Sequence, residues 1–127
     1  MILKNLPYPP SVNSYYRAVN GKVLISKKGR EYRKRIEGIV LSRFPKLCAD
    51  YGFIERVEVR VEFYPPDKRK RDIDNPVKAL LDSLEKAFVF EEDEQIKRLH
   101  VAMHDPVKGG RVDVEIKPLE KQNECKR

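Results

Sequence analysis

Residues 57–88 read VEVRVEFYPPDKRKRDIDNPVKALLDSLEKAF, and three patterns follow one another in that stretch. Val57, Val59, Val61 and Phe63 alternate with Glu58, Arg60 and Glu62, the period-2 signal of a half-buried strand. Pro65-Pro66 stops the strand, and Asp67–Asp74, without apolar periodicity, predicts a loop. Asn75-Pro76 predicts a helix N-cap followed by proline at the first helical position. Val77, Leu80, Leu81, Leu84 and Phe88 then recur at the spacing of a packed helix. A strand, a charged loop and an amphipathic helix in direct succession predict that strands and helices share one core.

On the N-terminal side, Ile2–Leu6 predicts a short strand, and Pro7, Pro9 and Pro10 predict an extended loop. Asn20-Gly21 is a hairpin turn signal, with Val23–Ile25 as a strand after it. Ser26 is placed to cap a helix from Lys27 to about Phe44, ended by Pro45. Its apolar stripe is Tyr32, Ile36, Ile39, Val40 and Phe44, with Lys27, Arg30 and Lys34 on roughly the opposite side. On the C-terminal side, Ile96–His104 and Val112–Ile116 alternate as two strands, and Pro106 with Gly109-Gly110 predicts a hairpin loop between them. The order βββαβαββ predicts an α+β fold: a single domain with a mixed β-sheet and two main helices over residues 1–117. Residues 118–127 are expected to form a flexible C-terminal tail.

The 127-residue length allows one domain with one core. No apolar run approaches the roughly 18 residues of a membrane span, and the opening MILKNLPYPP lacks the order of a signal peptide. Cys48 and Cys125 are the only cysteines, too few for a disulfide framework or a four-thiolate zinc site. Unpaired thiols in a reducing cytoplasm are the expectation. The formal net charge is +7, and its whole excess sits between Arg17 and Arg35, where Arg17, Lys22, Lys27, Lys28, Arg30, Arg33, Lys34 and Arg35 face one acid, Glu31. Lys68–Arg71 is a second basic run, and Glu91–Glu94 an acidic one. Such a concentration points to a polyanion, most often nucleic acid; the alternative is a solvated helix face on a Lys-rich, heat-adapted protein.

The chemistry concentrates in Arg71-Asp72-Ile73-Asp74-Asn75-Pro76-Val77-Lys78. On an extended backbone Asp72 and Asp74 project together, and two adjacent carboxylates repel unless a cation lies between them. Hard oxygen ligands favour Mg²⁺ or Mn²⁺ over zinc. A third acid from 91–94 joins them if the chain folds back after the helix. Four preceding cations suit a phosphate backbone gripped beside a metal-assisted reaction; the alternative is an ordinary acidic turn. Lys78, in the first helical turn, opposes the helix dipole. It is either a functional cation or the i, i+4 partner of Asp82. His100 and His104 read as sheet positions. Tyr15-Tyr16-Arg17 either stacks on bases or anchors the N-terminal loop. Gly109-Gly110 reads as a turn. No Ser, Cys or His shows the surroundings of a covalent nucleophile.

Four stretches together resemble the RusA family of Holliday junction resolvases. They are Pro9-Pro10-Ser11-x-Asn13-x-Tyr15-Tyr16-Arg17, Arg69-x-Arg71-Asp72-x-Asp74-Asn75-x-x-Lys78-Ala79-x-x-Asp82-x-Leu84, Asp93-x-Gln95-Ile96 and Gly109-Gly110-Arg111. The resemblance omits only the last dozen residues or so. It implies a homodimeric, Mg²⁺-dependent endonuclease, with Mn²⁺ as a substitute and no organic cofactor, that cuts four-way DNA junctions symmetrically in recombination and repair. It implies Asp72, Asp74 and Asp93 as metal-binding catalytic residues, with Glu92 the alternative third ligand because Asp93 lies within an acidic run. Lys78 is the implied catalytic lysine and Arg71 a phosphate contact. Arg17, Lys27, Arg30, Lys34, Arg69 and Lys70 join Arg71 as the expected DNA-binding set. The expected location is cytoplasmic and nucleoid-associated. Two other readings fit the basic patches: a non-catalytic nucleic-acid-binding domain, and a metal nuclease acting on other DNA structures.

Overall fold

The structure, a computed structural model, describes residues 1–119. Positions 120–127 of the expected tail, Cys125 included, lie outside the described residues, as does the side chain of Cys48. The elements in chain order are β1 (Ile2–Leu6), a one-turn α1 (Val12–Tyr15), β2 (Tyr16–Val19), β3 (Lys22–Ile25), α2 (Lys27–Arg43), β4 (Val57–Tyr64), α3 (Val77–Lys86), β5 (Ile96–Met103) and β6 (Arg111–Pro118). The α+β expectation holds: a four-stranded mixed sheet ordered β1-β6-β4-β5 packs against both long helices, and β2-β3 forms a separate two-stranded ribbon.

Alternation makes β4 the centre of the sheet. Val57, Val59, Val61 and Phe63 are fully buried, each contributing about 1.5–3 kcal/mol by removal from water. They meet Leu3 and Leu6 of β1, Val112, Val114 and Ile116 of β6, Tyr32, Ile36 and Val40 of α2, and Leu80, Leu81 and Leu84 of α3 in one cluster. Ser26 caps α2 as expected, accepting the Gly29 N–H at 2.9 Å.

The hairpin expected between the last two strands does not form. β4 lies between them, parallel to β5 and antiparallel to β6. The 104–110 connection crosses the end of β4, where the His104 N–H donates to the Phe63 carbonyl at 2.8 Å and the Val107 N–H to that of Pro65 at 2.9 Å. A hairpin would leave β4, whose Val57, Val59, Val61 and Phe63 are fully buried, on a sheet edge. Instead β5 takes the edge, with Leu99 41% exposed. The parallel β4–β5 pair requires a crossover, and the loop after β4 followed by α3 supplies it. The last strand also runs on to Pro118, and the Leu119 N–H donates to the Arg56 carbonyl at 2.9 Å.

Two helix boundaries differ from expectation. Asn75 does not cap α3: Pro76 occupies the cap position without a side-chain bond, and the Asn75 Oδ1 accepts the Val12 N–H at 2.9 Å. Phe88 lies beyond the helix, in the left-handed region at φ 68°, where the chain turns back through a Val89 N–H to Leu84 carbonyl bond of 3.1 Å.

Gly29 is where α2 approaches the N-terminal segment. A Cβ there would lie 2.6 Å from the Tyr15 carbonyl oxygen and 2.9 Å from the Ile25 Cγ2. Gly29→Ala is therefore expected to destabilise the protein by about 1–3 kcal/mol through overpacking, despite alanine's better helix propensity. Gly38→Ala on the same helix, with nothing within 4 Å of the added carbon, is expected to stabilise by up to about 1 kcal/mol. Thermal melts of the two variants should move in opposite directions.

Candidate active site

Three segments converge at one end of the sheet. β1 and β4 run in the same direction, both antiparallel to β6, so Pro7–Ser11 leaves β1 and Pro65–Asn75 leaves β4 at the same edge, where Gly109-Gly110 enters β6. Carboxyl ends of parallel strands are the usual place for a binding crevice. Here they frame a cleft of about 1140 Å³ whose lining carries Lys28, Arg35, Arg69, Lys70 and Arg71 against two carboxylates, Glu31 and Asp72. Gly110 adopts φ +71°, and a Cβ there would stand 3.1 Å from both Pro66 and Tyr8, so only glycine fits this rim. Tyr32 donates its hydroxyl to the Pro7 carbonyl at 2.8 Å, tying α2 to the proline-rich wall.

The loop after β4 is organised by Asp67. Its carboxylate accepts the Arg69 N–H at 3.0 Å and pairs with the Arg71 guanidinium at 2.8 Å. Arg71 also donates to the carbonyls of Asp67 and Arg69 at 2.9 and 3.1 Å. The Arg69 N–H first, and then the two guanidiniums, pull the Asp67 carboxyl down to about 2. Arg71 and Arg69 thus line the cleft with guanidiniums already engaged in building its wall.

Asp72 and Asp74 do not sit on the expected extended segment. The Asn75 N–H donates to the Asp72 carbonyl at 3.1 Å and the Val77 N–H to that of Asp74 at 3.3 Å, two overlapping turns that abolish the alternation of a strand. Turns are favoured because the loop must pass directly into α3, with Asn75 bonded to α1. Both carboxylates are exposed, and among the described residues neither has a hydrogen bond or ion pair.

Lys78 points to Asp93, with Nζ 3.6 Å from Oδ2; this removes the Asp82 alternative. Asp82 instead accepts from Arg33 at 2.5 and 2.8 Å and from the Tyr15 hydroxyl. Tyr15 is therefore an anchor, fully buried, and Tyr16 packs edge-on against it at 4.9 Å. Burial first, and then the Asp82 carboxylate, push the Tyr15 phenol up to about 12.

Asp93 begins a 3-10 turn whose cap is Glu92, and Glu92 and Gln95 form a reciprocal capping box. Gln95 accepts the Glu91 and Glu92 N–H groups at 2.8 Å each and donates to the Phe53 and Glu55 carbonyls. Its amide thereby fixes the acidic turn to the 53–55 segment, while the Asp93 N–H is held by Glu85 at 3.0 Å. Asp93, and not Glu92, is the acid set against Lys78. The glutamine three residues after Glu92 was a readable capping signal.

Lys78 and Asp93 are brought together; the three aspartates are not gathered into one set. Among the described residues no three His, Cys, Asp or Glu side chains stand close enough to hold a metal ion. The donor chemistry nevertheless fits a hard divalent cation, because Asp72 and Asp74 offer exposed carboxylate oxygens with no competing partner. Of the expected DNA-binding residues, Arg69, Lys70 and Arg71 line the cleft, whereas Arg17, Lys27, Arg30 and Lys34 do not; Arg30 is bonded to the Ile25 carbonyl at 2.9 Å. Lys28 and Arg35, which the sequence did not separate from their neighbours, do line it. His100 and His104 lie on the outer sheet face, bonded to Glu58 and Glu62 at 2.8 and 2.7 Å. No described helix is long and apolar enough to cross a membrane.

The model of the family Endodeoxyribonuclease RusA matches residues 7–117. The chain is 41% identical over 115 residues to the crossover junction endodeoxyribonuclease rusA of Enterobacteria phage HK97, covering 91% of this chain and 92% of the relative. It is 38% identical over 111 residues to the RusA enzyme of Shigella sonnei strain Ss046 and 37% identical over 111 residues to that of Escherichia coli strain K12, in each case covering 87% of this chain and 89% of the relative.

Proposed function

This chain belongs to the RusA family of endodeoxyribonucleases, and from that premise we propose that it resolves four-way DNA junctions by paired, Mg²⁺-dependent phosphodiester cleavage. The observation that carries the reading is the pair that Lys78, on the helix following Asp72 and Asp74, makes with Asp93 of the acidic turn, beside a cation-lined cleft.

Asp72 and Asp74 would hold the ion, with Mn²⁺ as a substitute, and Asp93, which the structure does not gather with them, would join them by a shift of its turn as the ion binds. A divalent ion held there would supply a more acidic water and charge neutralisation for the phosphoryl oxygens. The Lys78 ammonium offsets negative charge on the phosphate or on the departing oxygen. The cleft cations hold the strand in line, and Asn75 keeps the aspartate loop bonded to α1. An exchanging junction has approximate two-fold symmetry, so a C₂ homodimer would supply two matched sites; sedimentation should give twice the mass of the chain. Such a substrate would place the protein on nucleoid DNA in the cytoplasm.

The deciding assay offers a synthetic four-way junction and a linear duplex of the same sequence to the protein, with Mg²⁺ and with EDTA. Paired symmetric nicks in the junction alone, lost with EDTA and restored by Mg²⁺, are expected. Equal cutting of the linear duplex would indicate a metal nuclease of other specificity, and binding without cutting a non-catalytic module. In the same assay Lys78→Ala is expected to slow cleavage by about 10²-fold. Its ion pair is exposed, so the melting temperature should barely move. A variant that simply melts earlier and cuts normally would reduce Lys78 to a structural role.

A further inference from the structure

We propose that Lys28 and Arg35 of α2 bind backbone phosphates of one DNA strand inside the cleft, opposite the 66–72 loop, whereas Lys27 and Lys34 on the same helix do not. This inference rests on the DNA-binding part of the function proposed above. Helical geometry separates the four cations. At about 100° per residue, positions 28, 31 and 35 fall on one side of α2, and all three line the cleft. Positions 27 and 34 lie on a neighbouring side, outside it.

Availability points the same way. Across the cleft, Arg69 and Arg71 are committed to Asp67 and to loop carbonyls. Among the described residues the side chains of Lys28, Arg35 and Lys70 have no hydrogen bond or ion pair. Three uncommitted cations on two facing walls, leading to Asp72, suit a polyanionic chain laid along the cleft more than a compact anion. Glu31 stands between Lys28 and Arg35 on the helix and opposes that chain. It spaces the two cations by two turns, about 10 Å along the axis, so they would meet different phosphates.

The test is equilibrium binding of the full chain to a four-way junction without divalent metal, at several salt concentrations. Each lost phosphate contact lowers the salt slope by about 0.9, so Lys28→Ala/Arg35→Ala, which removes two contacts from each protomer of the proposed dimer, should reduce it by about 3.6 and weaken binding about 10³-fold at 0.15 M salt. Lys27→Ala/Lys34→Ala, with the same loss of charge, should weaken binding less than about 3-fold. Glu31→Gln should tighten binding. Equal losses in the two double variants, or an unchanged slope for the cleft variant, would overturn the inference. Because the readout is binding, a wild-type protein that binds but does not cut would sink the cleavage reading alone. Thermal melts confirm that each variant is folded at the assay temperature; Lys28 and Arg35 are exposed, so both should be.

Discussion

Asp74→Asn is expected to lower the junction-cleavage rate by on the order of 10²–10³-fold while leaving junction affinity equal or tighter. Asparagine matches aspartate in volume. It keeps the carbonyl that accepts the Val77 N–H, and it replaces a carboxylate that has no partner among the described residues. Stability should therefore not change. What disappears is an anionic oxygen ligand beside the phosphate, and with it a like-charge repulsion against DNA. Asp72→Asn should behave in the same way. Asp93→Asn should also stop cleavage, with a stability loss of at most about 1 kcal/mol because its pair with Lys78 is exposed. The measurements are single-turnover nicking of a labelled junction, gel-shift affinity without metal, and a thermal melt. Rapid cutting by Asp74→Asn would remove position 74 from the metal set.

The largest loss of stability is expected from Asp82→Ala. Asp82 joins α1, α2 and α3 through Tyr15 and Arg33, and its side chain is only 14% exposed. Removing it leaves the Arg33 guanidinium and the Tyr15 hydroxyl without their acceptor. The cost is about 3 kcal/mol, a fall in melting temperature of about 10 °C. Asp82→Asn keeps an acceptor oxygen but not the charge and should fall between. The same network contributes to an alkaline limit, alongside Tyr32 and Tyr8, whose phenols burial also pushes up. The Tyr15 phenol ionises at about 12 in the folded chain, above the roughly 10 of an unfolded tyrosine. The native state holds this proton more tightly, so its stabilising contribution is complete below pH 10 and is lost as pH rises towards 12. The slope of stability against pH in that window should shrink in Tyr15→Phe. An unaltered alkaline slope would show that other groups govern it.

How much of this was legible varies from element to element. The Val57–Phe63 alternation and the Ser26 signal led directly to β4 and to the start of α2, since periodicity and capping are local properties. The resemblance placed the chain in its family and selected the aspartates and Lys78. Local patterns failed where a residue had a distant competitor. Asn75 looked like a cap but bonds to Val12, sixty-three positions away. Lys78 and Asp82 looked like helical neighbours, but one reaches Asp93 and the other Arg33. β5 and β6 looked like a hairpin, but β4 lies between them. In each case a nearby pairing lost to a long-range one that buries more apolar surface, satisfies a charge or, at Asn75, satisfies a backbone N–H.

The sequence by itself determined the strands of the main sheet, the two long helices and the single mixed-sheet domain, because these follow from spacing along the chain, while the acid–lysine set came from the family resemblance. Only the tertiary structure decided that β1 and β4 end on the same side, that Lys28 and Arg35 rather than Lys27 and Lys34 line the cleft, and that Asp93 rather than Glu92 meets Lys78. These outcomes depend on which faces become buried when the helices settle on the sheet, and that choice is made by the packing of the whole core.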